Sequence, residues 1–159
     1  MRSVTFGIAA IALMSPTPSV AETFLTSLGG EVYETTGTTK EIVARANACI
    51  SRNLSKGSMD DPLILSSDLD SGVIVARNSI EYGTIMRWRI RSRFTFEARE
   101  GRFRIQQTNI ERNNTSALTG VNSWGPVNSF KQKEVRAKLG ASAALVAQCV
   151  INGPKSEEW

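Results

Sequence analysis

The clearest structural signal in the chain is Thr84-Ile85-Met86-Arg87-Trp88-Arg89-Ile90-Arg91-Ser92-Arg93-Phe94-Thr95-Phe96, where an arginine stands at every second position from 87 to 93. Successive side chains of a β-strand point to opposite faces, so a period of two indicates a strand. One face would carry four arginines: Arg87, Arg89, Arg91 and Arg93. The other would carry apolar residues: Met86, Trp88, Ile90, Phe94 and Phe96. The pattern predicts a sheet with one apolar side and one cationic, solvent-facing side.

A second alternating strand follows this one. Arg99-Glu100-Gly101 has the composition of a hairpin turn, and the partner strand runs from Arg102 to Ile110. Its inward side chains are Phe103, Ile105 and Gln107, and its outward ones are Arg102, Arg104 and Gln106. The hairpin would thus carry six arginines on its outer surface.

The positive charge of the chain is concentrated in this segment. Between Ile85 and Arg112 there are eight arginines and three glutamates, whereas the whole chain has a net charge of only +4. The rest of the chain is therefore net negative, and the basic character belongs to one hairpin.

The first residues are typical of an export signal. Arg2 provides a short positive start, Val4 to Met14 form an apolar run, and Ser19-Val20-Ala21 is a small-residue cleavage site. The apolar run is too short for a spanning helix, which needs roughly 20 residues. We expect a signal peptide over residues 1–21, a periplasmic or secreted protein, and no transmembrane segment after cleavage.

Two cysteines, Cys49 and Cys149, follow the predicted cleavage site. Exported proteins meet oxidising conditions, so the pair could form a disulfide that closes a long loop. The alternative is two buried thiols that act as small hydrophobic residues. The sequence leaves both open, because it does not reveal the Cα separation that a disulfide requires.

The remaining pattern predicts one α+β domain over residues 31–152, after a flexible lead-in at 22–30 and before a tail at 153–159. An antiparallel sheet of about five strands would have two helices packed on one face, in the order β-α-β-β-β-β-α. The predicted elements before the hairpin are a strand Glu31–Thr35, a helix Lys40–Leu54 capped by Thr38 or Thr39, and strands at Leu63–Leu65 and Val73–Ala76. After the hairpin come a loop Asn113–Asn128 and a helix that ends at Asn152.

These pieces resemble exported bacterial domains of unknown function with a TATA-box-binding-protein-like (TBP-like) fold. The matching parts are the helix Lys40–Leu54, the segment Leu63–Gly72 leading into Val73-Ile74-Val75, and the hairpin end Gly101-Arg102-Phe103-Arg104-Ile105. The resemblance implies a fold and no catalytic residues. Shared folds host unrelated functions, so it does not imply DNA binding.

The chain lacks the residues of the common catalytic and metal sites. It contains no histidine, which excludes Ser/His and Cys/His nucleophile arrangements and histidine-based zinc sites. The acidic pairs Asp60-Asp61 and Asp68-x-Asp70 stand beside turn residues, so we interpret them as solvated turns. We expect a protein that is not an enzyme and that uses no metal or cofactor.

Two functions remain as hypotheses. The arginine-rich face could dock an acidic partner: an envelope protein, an anionic lipid or a polymer. The alternative is an ordinary solvated surface, with the arginine stems packed over the sheet. Nucleic acid is not expected, because export removes the protein from it and no aromatic side chain is predicted on that face. The second hypothesis is an assembly subunit that uses a free sheet edge or the loop Asn113–Asn128, with Trp124 as an interface residue.

Overall fold

The fold is an antiparallel sheet of seven strands with two helices packed on one side. The computed structural model describes residues 24–55, 57, 61–83, 88–114, 123–128 and 131–153. The elements are β1 (Phe24–Leu25), β2 (Ser27–Glu34), α1 (Thr39–Asn53), β3 (Ile64–Asp68), β4 (Val73–Tyr82), β5 (Trp88–Arg99), β6 (Arg102–Asn114), β7 (Trp124–Asn128) and α2 (Gln132–Asn152). The α+β class is confirmed. The predicted signal peptide and residues 154–159 of the tail lie outside the described residues.

The sheet order is β1-β7-β6-β5-β4-β3, and β2 also pairs with β6. The strands β5 and β6 form the predicted hairpin at the centre, with Arg99 opposite Arg102 next to the turn. Gly101 in that turn has φ 71°, a conformation that favours glycine. The sheet has seven strands and not the five predicted, because two segments that were predicted to be coil also form strands of this sheet.

The first of these segments is the predicted flexible lead-in. Residues 24–30 form β1 and the first half of β2, and β2 pairs with β6 from Ser27 opposite Thr108 to Glu34 opposite Arg102. The register shifts between Gly29 and Val32, and Gly29 has φ 92°. A glycine inside a strand often marks such a bulge. Because glycine is uncommon in strands, this segment was predicted to be coil.

The second segment is part of the predicted loop Asn113–Asn128. Asn113 ends the described pairing of β6 with β7, where it lies opposite Trp124, and β7 continues to Asn128 and pairs with β1. Glycine and proline are depleted in strands, so Gly125-Pro126 made β7 look like loop. Residues 115–122 of that loop lie outside the described part of the chain.

A one-residue bulge in β6 reverses the alternation of that strand. Arg91 lies opposite Glu111, whereas Arg93 lies opposite Thr108, so β6 contains one extra residue between these pairs. Asn109 supplies it with φ 52°, a conformation that asparagine tolerates better than most residues. As a result Ile110 is buried and Glu111 shares a face with the arginines.

The first helix begins at its predicted cap, and both helices end within one residue of the predicted position. Thr38 caps α1 in a capping box: its hydroxyl accepts from the Glu41 backbone N–H, and the Glu41 carboxylate accepts from the Thr38 N–H. Gly153, with φ 79°, follows the last residue of α2. Neither helix in the described part of the chain is long and apolar enough to cross a membrane.

Helices and sheet enclose two apolar clusters. The larger one joins α1 and the C-terminal half of α2 to the inner faces of β4, β5 and β6, with Phe94 and Phe96 fully buried. Cys49 and Cys149 form a disulfide within it, with a Cα–Cα distance of 5.7 Å, which ties α1 to α2. The smaller cluster lies under the first half of α2, around Ile90, and includes Leu25 of β1.

A buried polar network also joins the sheet to α2. The Gln107 Oε1 accepts from Asn78 Nδ2 at 2.9 Å and from Ser92 Oγ at 2.8 Å, and the Gln107 Nε2 donates to the Leu139 carbonyl of α2 at 2.9 Å. Asn78 Nδ2 also donates to Ser142 Oγ at 2.7 Å. Buried hydrogen bonds require specific geometry, so the network sets the position of α2 over the sheet.

Candidate anion-binding face

The side of the sheet turned away from the helices carries the cationic residues, and we call it the arginine face. Its described arginines are Arg77, Arg89, Arg91, Arg93, Arg99, Arg102 and Arg104. The structure places five of the six predicted arginines there, because buried and outward residues alternate along β5 and at the start of β6. Arg87, the sixth, lies outside the described residues.

Sequence reasoning missed two members of this face. Arg77 was overlooked because the predicted strand ended at Ala76, whereas β4 continues to Tyr82. Asn78 and Ser79 in that continuation resemble loop residues, although Ile80 and Tyr82 keep the alternation and could have signalled a longer strand. Arg99 was assigned to the turn, but it is the last residue of β5 and is exposed.

Four of the seven arginines form ion pairs within the protein. The pairs are Arg77–Asp61 at 2.8 Å, Arg89–Glu81 at 3.1 Å, Arg91–Glu111 at 2.7 Å and Arg104–Glu97 at 2.7 Å. Glu81 and Glu97 lie on β4 and β5 in regular alternation with the arginines, whereas Glu111 reaches them only through the β6 bulge. Such exposed pairs each contribute about 0–1 kcal/mol, but together they remove most of the net charge of the face.

Arg93 is different from its neighbours. It is exposed, and no carboxylate of the described residues lies within 4.0 Å of its guanidinium. Arg77 stands directly opposite it on β4. Like charges that face each other across two strands are destabilising, so the face has an unbalanced positive charge at this point.

A shallow cleft surrounds Arg93. It has a volume of about 330 Å³, and its lining includes Arg77, Arg91 and Trp124. The Arg91 guanidinium carbon lies 4.1 Å from the centre of the Trp124 ring, in cation–π contact. We call this the first basic cleft.

Trp124 corrects an expectation from the sequence. No aromatic residue was expected on this face, but the half-buried Trp124 lies there, while Phe94 and Phe96 point into the core as predicted. Its position next to Arg91 could not be foreseen because β7 was not recognised as a strand. One of the two arguments against nucleic acid is therefore removed, and the argument from export stays a prediction.

A second cleft lies at the turn end of the hairpin. It has a volume of about 360 Å³, and its lining includes Arg99, Arg102, Arg104 and the exposed Val32. Arg99 and Arg102 face each other across β5 and β6, and neither forms an ion pair with a described residue. We call this the second basic cleft.

The two clefts are separated by an uncharged band. Along β5 the outward residue between them is Thr95, which lies opposite Val75 on β4 and Gln106 on β6. None of these side chains carries a charge. The arginine face thus contains two separate basic sites and not one continuous patch.

The acidic residues singled out in the sequence have structural roles where the structure describes them. Asp68 Oδ1 accepts from the backbone N–H of Asp70 at 2.9 Å and of Ser71 at 3.1 Å. These hydrogen bonds, chiefly those with Ser71, lower the pKa of Asp68 below its ordinary value. Asp70 pairs with Lys40 at 2.7 Å. Within the described ranges no three potential ligands are grouped to hold a metal ion, and Asp60 lies outside those ranges.

Comparison with known proteins shows a likeness in structure. A DUF4468 family protein from Bacteroides ovatus is 11% identical, with a TM-score of 0.54 over 87% of this chain and 92% of that one. A TBP-like protein from Parabacteroides distasonis is 16% identical, with a TM-score of 0.55 over 77% of this chain and 92% of that one. No protein-family model and no curated protein matches the sequence. The expected TBP-like fold of a domain of unknown function is confirmed, and identities this low show the fold alone.

Proposed function

We propose that this protein is a non-enzymatic binding module, exported to the cell envelope, that docks an acidic protein partner at the arginine face. The observation that carries the proposal is Arg93, an exposed guanidinium in a cleft, opposite Arg77 and without a carboxylate partner among the described residues. A carboxylate bound there would accept hydrogen bonds from Arg93 and relieve its repulsion by Arg77.

The neighbouring ion pairs support a protein as the partner. Arg91 and Arg104 each hold a carboxylate at 2.7 Å, so arginines on this face are already arranged for that group. The same carboxylates, Glu111 and Glu97, would repel a densely charged phosphate chain or a strongly anionic lipid surface. The discrete carboxylates of an acidic protein fit this mixture better.

The test is fluorescence anisotropy with labelled polyglutamate at low and raised salt. Arg93→Gln should weaken binding at least tenfold, because a hydrogen bond to a charged group contributes roughly 1.5–3 kcal/mol. Lys138→Gln is the matched control: it also removes one positive charge, but from the exposed side of α2. Equal loss in both variants, or no binding by the wild type, would refute the proposal. Tighter binding to phosphatidylglycerol vesicles would assign the face to lipid.

A second candidate function is assembly through the sheet edge at β3. This strand ends the described sheet order, and Leu65 and the adjoining Leu69 are 43% and 46% exposed. Exposed edges can pair with another chain. Light scattering would detect an oligomer, and Leu65→Lys should dissociate it. A monomer at all concentrations would count against self-assembly.

A further inference from the structure

We infer that the partner presents an extended acidic peptide that occupies both basic clefts at once, a conclusion that rests on the proposed function. The first step is the spacing of the clefts. Arg93 and Arg99 are six residues apart along β5, which corresponds to about 20 Å in an extended strand. An extended peptide covers the same distance with about six residues, so two acidic residues at that separation reach the two clefts.

The second step is that each cleft contains a pair of arginines facing each other across neighbouring strands. In the first cleft the pair is Arg77 and Arg93, and in the second it is Arg99 and Arg102. A folded protein gains nothing from such like-charged pairs. Arg77 already contacts Asp61 through Nη1 at 2.8 Å, but a guanidinium has five N–H donors and can serve a second carboxylate. A carboxylate placed between the members of either pair would therefore receive hydrogen bonds from both arginines.

The third step concerns the region between the clefts. Val75, Thr95 and Gln106 offer no positive charge there, and Val75 is only 7% exposed. A uniformly charged polymer would place its central charges over this band without compensation. A peptide with acidic ends and a neutral middle matches the pattern, because its uncharged residues lie over the uncharged band.

The fourth step is the gain from two linked contacts. Once one carboxylate is held, the second is confined near its own site, and the linked ligand binds more tightly than either contact alone. A peptide with both acidic residues at one end has the same charge but reaches a single cleft. The spacing of the charges, and not their number, should therefore set the affinity.

The experiment uses two labelled peptides of identical composition in anisotropy titrations at low salt. In the spaced peptide two glutamates are six residues apart, and in the clustered peptide they are adjacent. The wild-type protein should bind the spaced peptide at least tenfold more tightly. Arg93→Gln and Arg102→Gln should each remove most of that advantage, and Lys138→Gln should keep it. All three positions are exposed, so unchanged far-ultraviolet circular dichroism spectra and cooperative melting should verify folding.

The outcomes separate this inference from the proposed function. If both peptides bind equally and only Arg93→Gln weakens them, the single-cleft proposal stands and the two-cleft inference is wrong. If neither peptide binds the wild-type protein, both the proposed function and the two-cleft inference are wrong. If an oligonucleotide or a sulfated polysaccharide binds more tightly than the spaced peptide, the assignment to an acidic peptide is overturned.

Discussion

Replacing both cysteines, Cys49→Ala with Cys149→Ala, should remove a large part of the stability of this domain. The disulfide joins residues separated by 100 positions, so β3 to β7 and most of α2 lie within one closed loop. Chain entropy assigns about 4.7 kcal/mol to a loop of this length, and the measured loss for native disulfides in small secreted domains is about 2–5 kcal/mol. Domains of this size are stable by only about 5–15 kcal/mol in total.

Burial adds a smaller contribution to the loss. Cys49 is fully buried in the larger apolar cluster, against residues of α1, α2 and the sheet. Alanine lacks the sulfur atom and leaves a small void there, which should add about 1 kcal/mol. We therefore expect a decrease of about 3–6 kcal/mol in the free energy of unfolding.

Urea unfolding followed by tryptophan fluorescence is the appropriate assay. With a urea dependence of about 1–3 kcal/mol per molar, the midpoint should fall by roughly 2 M. Wild-type protein kept reduced separates the two contributions, because it loses the cross-link but retains both sulfur atoms. The reasoning is refuted if the free energy of unfolding falls by less than about 1 kcal/mol in both the double variant and the reduced wild type. Two reactive thiols in the oxidised wild type would also refute it.

Three further predictions concern stability. Gln107→Leu should destabilise the protein by about 2–4 kcal/mol, because its buried hydrogen-bond partners lose their contacts; thermal unfolding measures this. Arg93→Thr should raise the melting temperature slightly, because it removes the like charge opposite Arg77. Hydrogen bonds from Thr38 lower the pKa of Glu41 below its ordinary value, so the charged carboxylate stabilises the fold near neutral pH. This stabilisation is lost as pH falls through the folded-state pKa. Glu41→Gln should therefore destabilise at pH 7 and have little effect in acid.

Each of these has a clear control. Thr108→Val changes a half-buried residue of the same strand without touching the Gln107 network, and an equal loss there would contradict the role given to Gln107. Lys138→Gln should not reproduce the stabilisation by Arg93→Thr; if it does, the gain comes from net charge alone. A destabilisation by Glu41→Gln that is the same at every pH would exclude the capping carboxylate as its cause.

Much of the fold can be predicted from local patterns in the sequence. The alternation along β5 depends only on the period of a strand, so the division into an arginine face and a core face could be predicted without any contact information. The first helix was predictable because Thr38 and Glu41 stand in capping-box spacing before an apolar stripe. The turn at Gly101 was predictable because its residues favour that conformation.

The candidate site was less predictable, because its contacts join residues from different strands. Trp124 reaches Arg91 only because β7 pairs with the end of β6, and the composition of β7 does not favour a strand. Glu111 reaches the same arginine only because the bulge at Asn109 shifts the alternation by one residue. No local pattern marks either contact.

Side-chain alternation is a property of the strand alone, so the order of the residues was enough to show that one hairpin is cationic outside and apolar inside. Which of those arginines have partners depends on the folded arrangement. Ion pairing depends on which residues lie opposite one another across strands, and register, bulges and distant segments such as β7 set that arrangement. They neutralise four arginines, leave Arg93 exposed in one cleft, and leave Arg99 and Arg102 in another. The disulfide was likewise an open alternative until the packing of α1 against α2 brought the two cysteines together.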